Sequence, residues 1–179
     1  MKKPISYLIS IAVLIFTISS CDLIEDLLKI DFTTNFKEIP VTIDPSDAGV
    51  YTFVESNIVS DLADDISDNG GSIDDLRSVT LDSAYIEVAS YDNGNLDAFS
   101  WGEVYIMAPP DYPDWVLVAS VYDVPMGVRS IKFALAGEDI SNMLEQDEYT
   151  IGMIGELDQN IEVTLNLLLK LRYEVVVGG

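Results

Sequence analysis

The residues able to do chemistry in this sequence are carboxylates and aromatics. Its 179 residues include 31 Asp plus Glu against 9 Lys plus Arg, no His and one Cys. Without His or a second Cys there is no His/Cys zinc site and no Ser-His-Asp or Cys-His nucleophile. Nor is there an intrachain disulfide framework or an imidazole acid or base. The four lysines beyond the first three residues, Lys29, Lys37, Lys132 and Lys170, stand in no recognisable Ser-Lys motif. A formal charge of −22 repels phosphate backbones and anionic headgroups, which argues against nucleic acid as a partner.

Two groups of residues could bind a ligand. Asp61, Asp64, Asp65, Asp68, Asp74 and Asp75 form the densest charge cluster. On the calcium-loop template Asp65, Ser67, Asn69 and Gly70 fall at positions 1, 3, 5 and 6, but Leu76 stands where the closing bidentate Glu belongs. The segment is therefore expected to be a solvated acidic helix and turn with no dedicated cofactor, weak Ca²⁺ binding through Asp65, Ser67 and Asn69 being the alternative. The second group is Trp101, Tyr105, Tyr112, Trp115 and Tyr122, whose rings could stack on sugar faces while carboxylates accept from sugar hydroxyls. Four of these lie in strand-like runs, where aromatic residues pack in cores or across strands. Tyr112, in the Pro-rich segment beside Asp111 and Asp114, is the one expected to be exposed, so Tyr112, Asp111 and Asp114 are the candidate ligand site.

The elements that must carry these residues are strands. From Ile161 to Val177 every odd position is apolar or aromatic, the period of a strand buried on one face; its length predicts a bend near Leu167 to Leu169. The same alternation marks Ile30 to Phe36, Ile131 to Leu135 and Tyr149 to Met153. Ser78 to Ala89, Phe99 to Ala108 and Trp115 to Tyr122 are richer in apolar residues on both faces and are expected at the sheet centres. Ile58, Leu62 and Ile66 recur at helical spacing before Asn69-Gly70-Gly71, and Ile140, Met143 and Leu144 predict a second short helix. Asp92-Asn93-Gly94-Asn95 reads as a hairpin turn, and Asp158-Gln159-Asn160 turns into the last strand. Gly152 and Gly155 are too close for a phosphate-binding loop and are expected to mark kinks or close backbone approaches. About eight strands with short connections predict an all-β, antiparallel β-sandwich, immunoglobulin-like, with one or two short helices, as a single domain over residues 29–179.

Residues 1–20 read as a secretion signal: Lys2 and Lys3 precede an apolar run too short to span a membrane with proper flanks. Ile18-Ser19-Ser20-Cys21 resembles a bacterial lipobox, which implies that Cys21 is acylated and that residues 21–28 form a short tether. Several acyl chains, at about 0.8 kcal/mol per buried methylene, hold a protein firmly on a membrane. Asp22 just after the Cys resembles the inner-membrane retention signal of enterobacterial lipoproteins, whereas Asp22, Glu25 and Asp26 together resemble the surface-export signal of Bacteroidota, and the chain is similar to the small β-sandwich envelope lipoproteins of the latter group. The resemblance implies an outer-membrane location, the face left open, and partners that are the membrane, an envelope protein or a glycan. An Asp/Glu pair for glycoside hydrolysis is the one common chemistry the composition permits. No spacing identifies such a pair, and a small sandwich leaves little room for a deep cleft. The expected function is therefore non-catalytic, binding or assembly at the envelope, with a glycan-binding or glycan-processing accessory module of a sugar-uptake system as the alternative.

Overall fold

The computed structural model describes residues 29–89, 94–107 and 115–178. The signal, Cys21, the tether and the candidate site at Asp111, Tyr112 and Asp114 lie outside the described residues. The last strand, β10 (Leu165–Val177), alternates strictly between buried odd and more exposed even positions. One of its edges takes two strands in turn: β2 (Lys37–Ile43) against Leu165 to Leu171, and β1 (Ile30–Thr33) against Glu174 to Val177. The other edge takes β4 (Leu76–Val88), which in turn pairs with β7 (Ser130–Lys132). The irregularity expected at Leu167 to Leu169 sits instead between Arg172 and Tyr173, where β10 passes from one edge partner to the next. Ile161 is not part of the strand but forms a lone bridge to Ser46.

The second layer runs in the order β3 (Gly49–Val59), β9 (Glu148–Leu157), β5 (Phe99–Met107), β6 (Val116–Tyr122), β8 (Ala134–Leu135). All pairings in both layers are antiparallel. They nest: β5 pairs β6, β4 pairs β7, β3 pairs β9 and β2 pairs β10. A long hairpin rolled up in this way is the double Greek key of a jelly roll. The antiparallel sandwich is thus as expected, but its strand order is not the immunoglobulin one, in which sequence neighbours pair within a sheet. The reason is that most connections cross between layers. β4 and β5, between which the turn signal at Asp92 to Asn95 falls, lie in different sheets and do not pair, and Asp92 and Asn93 themselves lie outside the described residues. Phe133, buried between β7 and β8, marks another crossing.

The helical spacing of Ile58, Leu62 and Ile66 also resolves differently. Ile58 ends β3, and only Leu62 and Ile66 belong to helix α1 (Leu62–Asp68). A 3-10 turn at Ile73–Asp75 follows, and α2 (Ser141–Leu144) is the expected second helix. With Ile140 and Leu144, the buried face of α1 joins the core formed by the facing rows of the sheets, such as Leu167, Leu169 and Leu171 against Val104, Ile106 and Ile151. Leu169 has no exposed surface. Leu169→Ala should therefore destabilise the domain by roughly 2–5 kcal/mol in urea unfolding, whereas Val50→Ala, at a position 62% exposed, should cost less than about 0.5 kcal/mol.

Candidate functional site

Parity along β5 decides what the aromatic residues do. Gly102, Val104 and Ile106 are buried, so Trp101, Glu103 and Tyr105 stand on the opposite, outer face of the sheet. Registration with the neighbouring strands lays out three rows. Val50, Glu156, Trp101 and Tyr122 form the first; Thr52, Ile154, Glu103 and Ser120 the second; Val54, Gly152, Tyr105 and Leu117 the third. Trp115, just ahead of β6, packs over Gly152, where a Cβ would lie only 2.3 Å from the indole ring. Gly152 is therefore the place where a ring approaches the backbone. Gly155 serves the backbone approach foreseen for it, with the Trp101 carbonyl 3.0 Å from an added Cβ. Tyr105 meets Trp115 edge to face, with centroids 6.3 Å apart. Thr52, Tyr105, Trp115, Gly152 and Ile154 line an open groove of about 330 Å³.

The polar groups of this face are tied to one another. Tyr105 and Tyr122 donate from their hydroxyls to the two oxygens of Glu103, at 2.6 and 2.5 Å. Trp101 donates its indole N–H to Glu156 Oε2 at 2.7 Å, and Ser100 donates to the same oxygen at 3.3 Å. The hydrogen bonds from Tyr105 and Tyr122 hold the Glu103 carboxyl below its ordinary range. Reciprocally, the bond to Glu103 raises the Tyr105 hydroxyl to about 12 and moves that of Tyr122 upward. The rings of Trp101, Tyr105 and Tyr122 are fixed by charge-assisted bonds and that of Trp115 by its contact with Tyr105, and Trp115 and Tyr122 are 41% and 58% exposed. Such a face presents apolar ring surfaces beside oriented acceptors, the combination that binds a polyhydroxyl ring.

Trp101, Tyr105, Trp115 and Tyr122, expected in cores or cross-strand packing, thus share one solvent-facing surface. Sequence reasoning did not find Glu103 and Glu156 as their partners. The available signal was parity: an ionisable Glu103 between Trp101 and Tyr105 assigns all three odd positions to solvent.

The acidic segment folds otherwise than a calcium loop. Asp65 and Ser67 lie within α1, and Asn69 caps it, its side-chain amide donating to the Asp65 carbonyl at 2.8 Å. Helical geometry sends positions two apart to different sides, so Asp65, Ser67 and Asn69 do not converge. Among the described residues no three His, Cys, Asp or Glu side chains are grouped to hold a metal. Asp65 sits on the rim of a cleft of about 230 Å³, with Lys37 and Tyr173 also lining it. Its carboxyl is raised by desolvation and then by Asp61, Asp68 and Asp64. Tyr149 and Tyr173 meet there, hydroxyl to hydroxyl, at 3.4 Å. Burial pushes Tyr149 to about 12 and Tyr173 upward as well.

A tyrosine whose folded pKa is raised contributes stability that is complete below its ordinary pKa of about 10 and is lost as pH climbs through the folded value. Tyrosinate absorbance should accordingly show a late-ionising class that titrates toward pH 12. Glu103→Gln should return Tyr105 and Tyr122 to the ordinary class and leave Tyr149 and Tyr173 late.

No family model matches the chain, and no curated protein matches it. Among solved structures it is similar to one described as "Structural basis for the promiscuous specificity of the carbohydrate-binding modules from the beta-sandwich super family". The identity is 13%, with 79% of this chain and 54% of that chain covered and a TM-score of 0.37. The chain therefore spans about half the length of that protein. It is also similar to the decameric BFDV capsid protein, at 11% identity over 83% of this chain and 98% of that one, with a TM-score of 0.40. The Turnip Yellow Mosaic Virus structure follows at 9% identity, 84% and 96% coverage and a TM-score of 0.27.

Proposed function

We propose that this protein is a non-catalytic envelope lipoprotein, held on the outer membrane through Cys21, that binds a glycan on the outer face of its β9 sheet. The observation that carries the reading is the constellation of Trp101, Tyr105 and Tyr122, hydrogen-bonded to Glu103 and Glu156, with Trp115 edge to face on Tyr105, all on one exposed sheet surface. Fixed rings cost little ordering entropy on binding, and carboxylate lone pairs left over from the tyrosine and indole bonds accept from sugar hydroxyls. An open groove of this kind suits binding along a glycan better than enclosure of a reacting bond.

Both tryptophans of the chain stand on this face, so all of its tryptophan fluorescence reports on the site. Glycan-array screening of the detergent-solubilised chain, followed by fluorescence titration of any hit, is expected to show saturable binding. Trp115→Ala should weaken it roughly 10- to 100-fold, the equivalent of about 1.5–3 kcal/mol of buried aromatic surface. A smaller loss, with unfolding unchanged, would place the ligand elsewhere. Gly152→Ala should also weaken binding by displacing the indole. For the anchor, metabolic labelling with a fatty acid should mark the wild-type chain and not Cys21→Ala, which should leave the membrane fraction while staying folded.

A further inference from the structure

The two layers differ in charge. Every Lys and Arg on a described strand, namely Lys37, Arg77, Lys132, Lys170 and Arg172, belongs to the β10 sheet. The described strands β3, β9, β5, β6 and β8 carry none, and their charged residues are Glu55, Glu103, Glu148 and Glu156. In the cluster around Glu103 and Glu156 the donors are also spent: the Tyr105 and Tyr122 hydroxyls go to Glu103, and the Trp101 N–H goes to Glu156. What the cluster offers a ligand is therefore negative charge and acceptor lone pairs.

We infer that this face selects glycans without acid groups, and that Glu103 and Glu156 are the residues that exclude uronate, sialyl and sulfated sugars. The inference rests on the glycan reading above and names the substrate class of the same site. A neutral sugar hydroxyl donates to a carboxylate oxygen and satisfies it. A sugar carboxylate in the same place has no proton to give, meets a like charge, and finds no cation on the sheet's strands to offset it. Replacing hydroxymethyl by carboxylate should thus reverse the sign of the contact while leaving ring stacking intact. The Glu103 carboxyl, held below its ordinary range by the two tyrosine hydroxyls, keeps its share of the exclusion below neutral pH.

The test uses the full chain in a neutral detergent and hexasaccharides of glucose, mannose and galactose beside those of glucuronate, mannuronate and galacturonate, followed by tryptophan fluorescence. The expected result is binding of at least one neutral hexasaccharide, with its uronate counterpart at least about tenfold weaker. The gap should narrow at about 0.5 M salt, where charges are screened within a few ångströms. Glu103→Gln with Glu156→Gln should weaken the neutral sugar, which loses charged acceptors, and should close the gap between the two classes, bringing uronate and neutral sugar to within about threefold of each other. Uronate binding as tight as neutral binding in the wild-type chain would overturn the selectivity while leaving the glycan reading in place. A double variant that still binds the neutral sugar and rejects uronate would overturn the assignment to Glu103 and Glu156. Binding to no sugar of either class would remove the glycan reading itself, and this inference with it.

Discussion

The odd-numbered side chains of β10 from Leu165 to Val177 are all buried, and both layers are organised by that row. A strand of this length presents more backbone N–H and C=O groups along each edge than one short partner can pair. Two successive edge strands, β2 and β1, therefore share one side of it while β4 runs along the other. The facing sheet supplies the complementary row through Val104, Ile106, Ile151 and Met153. Once β10 is the outermost partner of a nested set of pairs, β3 with β9 and β5 with β6 must fall in the opposite layer. The outer face of β5 is then directed to solvent by the same parity that buries Val104.

The strands that could be read from sequence are those in which burial is one-sided or complete. β10, β4 and β5 have that property, and their positions follow from it. β3 could not be read in the same way, because it is an edge strand with Val50, Val54 and Val59 exposed, which blurs the alternation. Ile58 at its end points into the same core as Leu62 and Ile66, so a strand terminus and a helix together imitate one helical stripe. The order of the strands could not be read because it depends on which layer each connection enters. A turn such as Asp92 to Asn95 has the same local chemistry whether it closes a hairpin or crosses a sandwich. The site was half readable: the aromatic residues stood out, but their direction was assigned from strand statistics rather than from the carboxylate sharing their parity.

Charge is divided between the layers as sharply as polarity is divided between faces. On the outside of the β10 sheet Lys170 bridges Glu38 and Glu87, and Arg172 bonds Asp82 and lies 4.9 Å over the Phe36 ring. Exposed pairs of this kind add little stability. Their consequence is distributive, because cations are scarce in the chain and those placed on this face are absent from the other. The β9 sheet is left with carboxylates that have no counter-ion on their own strands, and these recruit neutral donors instead: phenols, an indole and a serine hydroxyl.

That substitution of neutral donors for cations ties the electrostatics of the face to its shape. A lysine paired with Glu103 would hold it through a long, mobile side chain and would supply a positive end for an acidic ligand. A tyrosine does so through a flat ring with two rotatable angles, so the hydrogen bond that satisfies the carboxylate also sets the plane of an apolar surface. Tyr105 then supports Trp115 edge to face, and the indole can come down onto the sheet because position 152 has no side chain. The lack of cations, the orientation of the rings and the glycine beneath the indole are therefore linked requirements. A basic residue on this face would alter the charge and disturb the platform together, since it would compete with the tyrosines for the carboxylate that orients them.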